Sequence, residues 1–371
     1  MSASAHLFLP AHGGQLRQIA AHYQIPADLL TDFSANINPA GPPPSVLTAM
    51  RRALDRPATL IAYPDLELIE LKQTIADSIG GRLENIAVAN GLMPLLEAAL
   101  RSRKIERCLL PVPSFTAYRR TLENADVTIV PHRLSPDRGF EYEGEAILEA
   151  IMNHSCDAIL LANPQNPSGI LSEAQRMKRL IEMAARCNVT VLLDEAFIDY
   201  CPNESLTQWP VDHMSLIVFR SVTKFFAIPG LRVAYVVGSS SRIDAMNHFI
   251  APWPVTAIAS DAVCAALKDR AYAEESRLAN GRRRLWLEQE LARLKILTYP
   301  SNANFLLLQF PAEVDVGLLW QRMIVEEQIV LRSCANFEGL AGNHLRIAVR
   351  SEQENEKLIR GLERVISNLA V

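Results

Sequence analysis

The sequence predicts an α/β fold in which a mostly parallel central sheet is covered by helices, with a smaller α+β domain beyond it. Between residue 45 and about 250, short apolar runs that do not alternate with polar residues recur between helical patterns. Such runs suit strands buried on both faces, and a parallel sheet needs helices over both faces. After about 250 the order changes to a long helical stretch followed by short strands and helices, which reads as the second domain.

Taken in order, residues 1–44 are irregular and rich in Pro and Gly, with AHGG at 11–14 and DFSANINPAGPPP at 32–44. Phe33 and Ile37 give this arm apolar groups to pack with. Helical spacing of apolar residues marks SVLTAMRRAL (45–54) and PDLELIELKQTIADSI (64–79). Strand runs follow at IAVAN (86–90), CLLPV (108–112), VTIV (127–130), AILLA (158–162), VTVLLD (189–194), LIVFR (216–220) and VAYVVG (233–238). Helical patterns separate several of them, such as LSEAQRMKRLIEMAARC (171–187). Beyond lie a helical stretch at about 256–294, strands at ILTY and NFLLLQF, a helix near 315–327, strands at IVLRS and HLRIAVR, and a closing helix. The expected division is an arm at 1–44 that joins the small domain and covers the site, a large domain at 45–250 and a small domain at 251–371.

Composition narrows the function classes. The 371 residues are 49% hydrophobic and 21% charged, enough apolar material for a sizeable core and no case for disorder. Net charge is −4, and no basic block or Arg/aromatic stripe marks a nucleic-acid partner. The N-terminal MSASAHLFLPAHGG lacks a basic n-region, so no signal peptide is expected. No apolar run approaches the ~18 residues of a membrane span. Six scattered cysteines form no CxxC or Cys/His cluster, so neither zinc nor disulfides are expected. These features suit a reduced, cytoplasmic enzyme or binding protein.

In open α/β sheets ligands bind beyond the carboxyl ends of the strands. Four strand ends here carry unusual groups. AILLANPQNPSG places Asn163 and Asn166 after one strand, and VTVLLDEAF places Asp194 and Glu195 after the next. LIVFRSVTK places Ser221 and Lys224 after a third. IAVANGLMPLLEA places Gly91 at a strand-to-helix junction, where free N–H groups suit a phosphate. Each alone has an ordinary reading. NPQNPSG is a turn-rich loop, and a strand-end lysine is commonly a surface charge. The DE pair lacks the GxxxxGK[ST] of a nucleotide-binding loop. The S-x-x-K pair lacks the SDN and KTG of a β-lactamase.

Together, in this order, the groups resemble the fold-type I, aspartate-aminotransferase-like family of pyridoxal 5'-phosphate enzymes, over nearly all of the chain. The resemblance implies that Lys224 is the Schiff-base lysine and that Asp194 pairs with the cofactor's pyridinium nitrogen. Asn166 would donate to the phenolic oxygen. Ser221, Arg232 and the amides of Leu92 and Met93, after Gly91, would hold the phosphate. Phe115 would stack on the ring, and Tyr63 would reach the phosphate from the neighbouring subunit of a homodimer. Arg346 would grip a substrate carboxylate. Apolar neighbours and the Arg232 cation should both favour the neutral amine at Lys224.

Two subfamilies are near, the histidinol-phosphate aminotransferases and the threonine-phosphate decarboxylases of cobalamin synthesis. AHGG (11–14), LLTDFSANINPAGPP (29–43), DEAFIDY (194–200) and LRSCANFEGL (331–340) resemble the second. That resemblance implies substrate contacts from His12, Gly13, Asn36, Asn166, Arg332 and Arg346. The ordinary readings are a tail residue for His12 and a solvated strand end for Arg332. Phe197 stands where many aminotransferases have a tyrosine, and it cannot donate to the phenolic oxygen. Leu92 and Met93 stand where Ser, Thr or an acid is usual, which leaves only their amides for a phosphate. The implied reaction is decarboxylation of O-phospho-L-threonine. The alternatives are histidinol-phosphate transamination and decarboxylation of O-phospho-L-serine, one methyl smaller and worth only ~1 kcal/mol in a pocket.

Overall fold

A computed structural model describes residues 10–340 and 342–369, so the first nine residues of the expected arm lie outside the described residues. The arm holds helix α1 (Leu16–Tyr23) and strand β1 (Thr31–Asp32), followed by α2 (Pro44–Leu54), α3 (Ala58–Ile61) and α4 (Ile69–Ile79). Alternating strands and helices then run β2 (Ile86–Ala89), α5 (Leu92–Arg103), β3 (Arg107–Val112), α6 (Ala117–Asn124), β4 (Thr128–Arg133), α7 (Gly144–Asn153), β5 (Ala158–Ala162), α8 (Ala174–Arg186) and β6 (Thr190–Asp194). Next come β7 (Leu216–Ser221), β8 (Ala234–Val237), α9 (Ser240–Asn247), α10 (Ala257–Lys268) and α11 (Arg270–Arg293). The chain ends with β9 (Leu297–Thr298), β10 (Phe305–Gln309), α12 (Val316–Val325), β11 (Ile329–Val330), β12 (Arg332–Ser333), β13 (His344–Ala348) and α13 (Glu352–Leu369).

The seven-stranded sheet has the order β2-β8-β7-β6-β5-β3-β4. All its pairings are parallel except those of β8, which runs antiparallel to both β2 and β7. The unalternating apolar runs are explained by burial on both faces. In β6, Leu192 enters the cluster with Leu110 and Ile217, while Val191 and Leu193 enter the opposite one with Leu109 and Ile159. Each such fully buried side chain contributes about 1.5–3 kcal/mol.

A second sheet, β12-β13-β10-β9, packs α11, α12 and α13 around Trp320, Leu306 and Ile347. The arm joins this part of the molecule: β1 pairs in parallel with β11, and Phe33 sits in the same cluster. The helical pattern expected at about 256–294 is two helices. They break at Asp269, whose carboxylate accepts the Tyr272 N–H at 3.1 Å and caps α11. Among the described residues no helix is long and apolar enough to cross a membrane.

Candidate active site

The parallel strands end on one edge, and the polar groups singled out above gather there. β7 ends at Ser221, and the following turn presents Lys224, half-buried, whose Nζ donates to Ser221 Oγ at 3.0 Å. Ser221 Oγ also shares a 2.8 Å hydrogen bond with buried Thr223. The turn is held from outside, since the Asn38 N–H donates to the Lys224 carbonyl at 3.0 Å. The Asn38 amide donates to the Phe225 carbonyl, Tyr272 and Ser276. Burial lowers the Lys224 pKa, the neighbouring Asp194 opposes that shift, and the Arg232 cation adds to it. Sequence reasoning had put only burial and Arg232 on that balance; the acid works against them.

Asp194 ends β6 and is buried. Its Oδ1 accepts the Ala196 N–H at 2.8 Å, and its Oδ2 accepts the Tyr118 hydroxyl. Burial raises its pKa, against the Tyr118 hydrogen bond, the Lys224 charge and the Ala196 amide. Glu195 points elsewhere. It accepts hydrogen bonds from Ser205, Leu206 and Thr207 at 2.6–2.8 Å and lies 3.8 Å from Arg220, which makes it a structural anchor. Asn163 is likewise spent on Ser172, through two hydrogen bonds of 2.9 and 2.8 Å.

Where β2 meets α5, the helix start and Arg232 come together. Gly91 has φ +93°, and a Cβ there would lie 2.9 Å from Arg232 Nη2. The absent side chain therefore lets a guanidinium approach the first turn of α5, where amides and an arginine fork suit a dianion together. Arg232 is exposed and pairs with no carboxylate among the described residues. The Leu92 side chain packs beside Phe197, and Met93 Sδ accepts from Thr121, so neither side chain adds a donor. Phe197 packs on Phe305 with ring centroids 4.9 Å apart, and Lys224 Nζ sits 5.8 Å from its ring. Phe115, just before α6, is half-buried and meets Tyr118 edge-on at 5.5 Å.

The other wall comes from the second sheet and the arm. Arg332 and Arg346 are directly opposite on β12 and β13, both buried. Arg346 Nη1 donates to Asn166 Oδ1 at 2.6 Å and Nη2 to the Ser34 carbonyl at 2.9 Å. With its oxygen held, the Asn166 amide nitrogen is left as the donor. Burial first, with Arg332 adding, pushes the Arg346 pKa down to about 10, so it stays cationic at neutral pH. Arg332 donates to the Ala11 carbonyl at 2.9 Å, the Ser333 carbonyl at 2.6 Å and Asn336 Oδ1 at 2.7 Å, with a longer bond of 3.4 Å to the Pro10 carbonyl. The sequence reading gave Arg332 to substrate alone; the structure sets it on the arm as well.

The arm fits closely. A Cβ on Gly13 would lie 2.1 Å from the Ser34 carbonyl oxygen, and the Gly14 N–H donates to Ser34 Oγ at 2.9 Å. His12 Nδ1 is 3.3 Å from Thr116 Oγ1, and its ring centroid is 6.3 Å from that of Phe115. Partial burial, then the Arg332 and Arg120 cations, lower its pKa. Among the described residues, Asn36 Oδ1 and Arg346 Nε are buried without a hydrogen-bond partner. The open Arg346 N–H beside Arg332 suits an anionic guest.

Tyr63 does not join this group within one chain. It is 81% exposed and stacks on Trp253 at 4.8 Å. A separate cavity of about 1190 Å³, walled by residues including Lys178, Trp209, Arg220 and Arg277, includes none of Lys224, Asp194, Asn166 or Arg346. Sequence reasoning missed Tyr118 and Thr223. Tyr118 lies in an apolar helix face and reads as core, whereas Thr223 sits inside the quoted SVTK run and could have been included.

The residues present fit pyridoxal phosphate by donor chemistry: a depressed-pKa lysine, a buried carboxylate, an amide donor and an arginine at a helix start. Residues 29–362 match the model of the family described as aminotransferase class I and II. The chain is 36% identical to the threonine-phosphate decarboxylase of Salmonella typhimurium, over 98% of this chain and 99% of that one. Its fold is similar to a histidinol-phosphate aminotransferase from Clostridium acetobutylicum, with TM-score 0.83 and 28% identity over 91% of this chain and 99% of the other. A histidinol-phosphate aminotransferase from Sinorhizobium meliloti, solved in complex with pyridoxal-5'-phosphate, has TM-score 0.84 at 22% identity, covering 99% of this chain and all of that one.

Proposed function

The chain belongs to the aminotransferase class I and II family, and from that premise we propose that it is a pyridoxal-phosphate-dependent decarboxylase of O-phospho-L-threonine that yields 1-amino-2-propanol O-phosphate. The observation that supports this most is the arm folded onto Arg332 beside Arg346 and Asn166, with the Gly13 backbone against Ser34. The 36% identity to a threonine-phosphate decarboxylase supports the same choice.

In this reading Lys224 would hold the cofactor covalently, Asp194 would pair with its ring nitrogen, and the Asn166 amide nitrogen would donate to its phenolic oxygen. Ser221, Arg232 and the first amides of α5 would hold its phosphate, and Phe115 would stack on its ring. Pyridoxal phosphate, when bound, supplies an electron sink for the pair released as a bond to the substrate Cα breaks. The chain's own residues decide which bond that is. Arg332, His12, Asn36 and the arm amides would bind a phosphate dianion, and Arg346 would orient the carboxylate. Holding both anions would limit rotation of the carboxylate, which would favour loss of carbon dioxide over loss of the Cα proton. Lys224 Nζ, or water, would return a proton to Cα afterwards.

The division into an arm (1–44), a large domain (45–250) and a small domain (251–371) belongs to this proposal. So does a homodimer. Leu60, Ile61, Tyr63 and Leu66 are 67%, 85%, 81% and 49% exposed, and an apolar surface of this kind is covered in most stable assemblies. Purified protein given O-phospho-L-threonine should release carbon dioxide with no keto acid present. Keto-acid-dependent transfer from histidinol phosphate without carbon dioxide release would overturn the assignment. Comparing O-phospho-L-serine settles the methyl preference.

A further inference from the structure

Tyr118 is 2% exposed, and its hydroxyl has one hydrogen-bond partner among the described residues, Asp194 Oδ2. The carboxylate's other oxygen takes the Ala196 N–H at 2.8 Å, so two donors from two elements fix its plane. Helix α6 brings Tyr118 into place together with Phe115, three residues earlier, and the two rings touch edge to face at 89°. One helix start therefore carries both the ring expected over the cofactor and the donor to the acid expected at its ring nitrogen. Burial alone drives Asp194 toward its neutral form, and the Tyr118 hydrogen bond is the largest opposing influence. The Tyr118 pKa is itself raised well above the ordinary value, by burial first and by Asp194, so the hydroxyl stays a donor throughout the neutral range.

We propose that Tyr118 is a positioning residue whose hydroxyl aims the Asp194 carboxylate and leaves it a weaker proton acceptor than the cofactor's ring nitrogen. The proton between the two then stays on nitrogen, where it strengthens electron withdrawal. A donor to a carboxylate stabilises its charged form, and without it the acid competes for that proton. This rests on the reading that Asp194 faces the ring nitrogen.

The test uses holoenzyme loaded with ring-¹⁵N pyridoxal phosphate. Tyr118→Phe removes one hydroxyl and nearly conserves volume, so packing is kept. Its ring-nitrogen resonance should move toward that of an unprotonated pyridine. The kcat for carbon dioxide release should fall on the order of tenfold, the effect of losing one hydrogen bond to a charged group, with KM little changed. Tyr142→Phe is the control, because among the described residues the Tyr142 hydroxyl bonds only the Ala162 backbone, at 3.0 and 3.1 Å. It should lower Tm and leave the resonance where it was. A Tyr118→Phe resonance equal to the parent's, while Asp194→Asn moves it, overturns this inference alone. If Asp194→Asn also leaves it unmoved, the placement of Asp194 fails and the inference fails with it.

Discussion

Gly13→Ala adds a single methyl to the arm, and the structure says what that methyl meets. It would lie 2.1 Å from the Ser34 carbonyl oxygen and 2.7 Å from the Ser34 carbonyl carbon, where ordinary contact begins at 3.4 Å. Both atoms are backbone, so no side chain can rotate away, and the arm must retreat by about 1.3 Å (3.4 − 2.1). A retreat of that size stretches the 2.9 Å bond from Arg332 to the Ala11 carbonyl past useful length and pulls His12 from Thr116. It also disturbs Ser34, the acceptor for Arg346. One hydrogen bond to a charged group contributes about 1.5–3 kcal/mol. The kcat/KM for O-phospho-L-threonine should therefore fall by about 10- to 100-fold, mainly through KM. Cofactor affinity should hold, because Gly91, Ser221 and Arg232 come from other elements. The assay pairs carbon dioxide release with a titration of the cofactor's visible band. Gly14→Ala is the comparison: with φ +78° it strains the backbone by about 1–2 kcal/mol, yet its nearest neighbour is the Ala35 methyl at an ordinary 3.5 Å. It should lower Tm and keep most activity. A Gly13→Ala enzyme with kcat/KM within twofold of the parent would refute the arm's role in substrate binding.

Three other outcomes are expected. Lys224→Met should abolish turnover and the borohydride-reducible link to cofactor. In the cofactor-free protein the same change should raise Tm at pH 7, since the folded state disfavours an ammonium that the unfolded chain keeps; the gain should vanish as pH passes about 10.4, and a pH-independent Tm difference would contradict the depressed amine. Phe197→Tyr puts a hydroxyl near Lys224 and the expected phenolic oxygen, so the pKa read from the cofactor's spectral titration should fall; an unchanged titration would mean that the ring faces away. Sedimentation should show a dimer, with Tyr63→Ala weakening cofactor binding; an active monomer would remove the shared site.

The strands were legible because burial on both faces leaves an unalternating apolar run, as in AILLA, which is β5 residue for residue. The break at Asp269 was not, since both sides keep helical spacing and only the capping geometry shows the stop. The cradle was legible from the order of Gly91, Asp194, Ser221, Lys224 and Arg232 along the chain. Partnerships were not. Nothing in the letters says that Arg346 holds the oxygen of Asn166, that Arg332 is turned onto arm carbonyls, or that the hydroxyl of an apolar-looking tyrosine ends on Asp194. Those contacts depend on how separate elements pack, and periodicity carries no record of it.

The clasp of Arg332 on the arm joins residues 321 and 322 positions apart, almost the length of the chain. The cradle residues, by contrast, all fall between 91 and 232. Each doubling of a closed loop adds only about 0.6 kcal/mol, but contacts of such high sequence separation form slowly. The arm is therefore expected among the later contacts to form on refolding. On refolding, the cofactor-binding residues are expected to come together before the groups that choose a substrate. Pulse-labelled hydrogen exchange should find the amides of residues 11–16 protected after those of β5, β6 and β7; simultaneous protection would contradict that order.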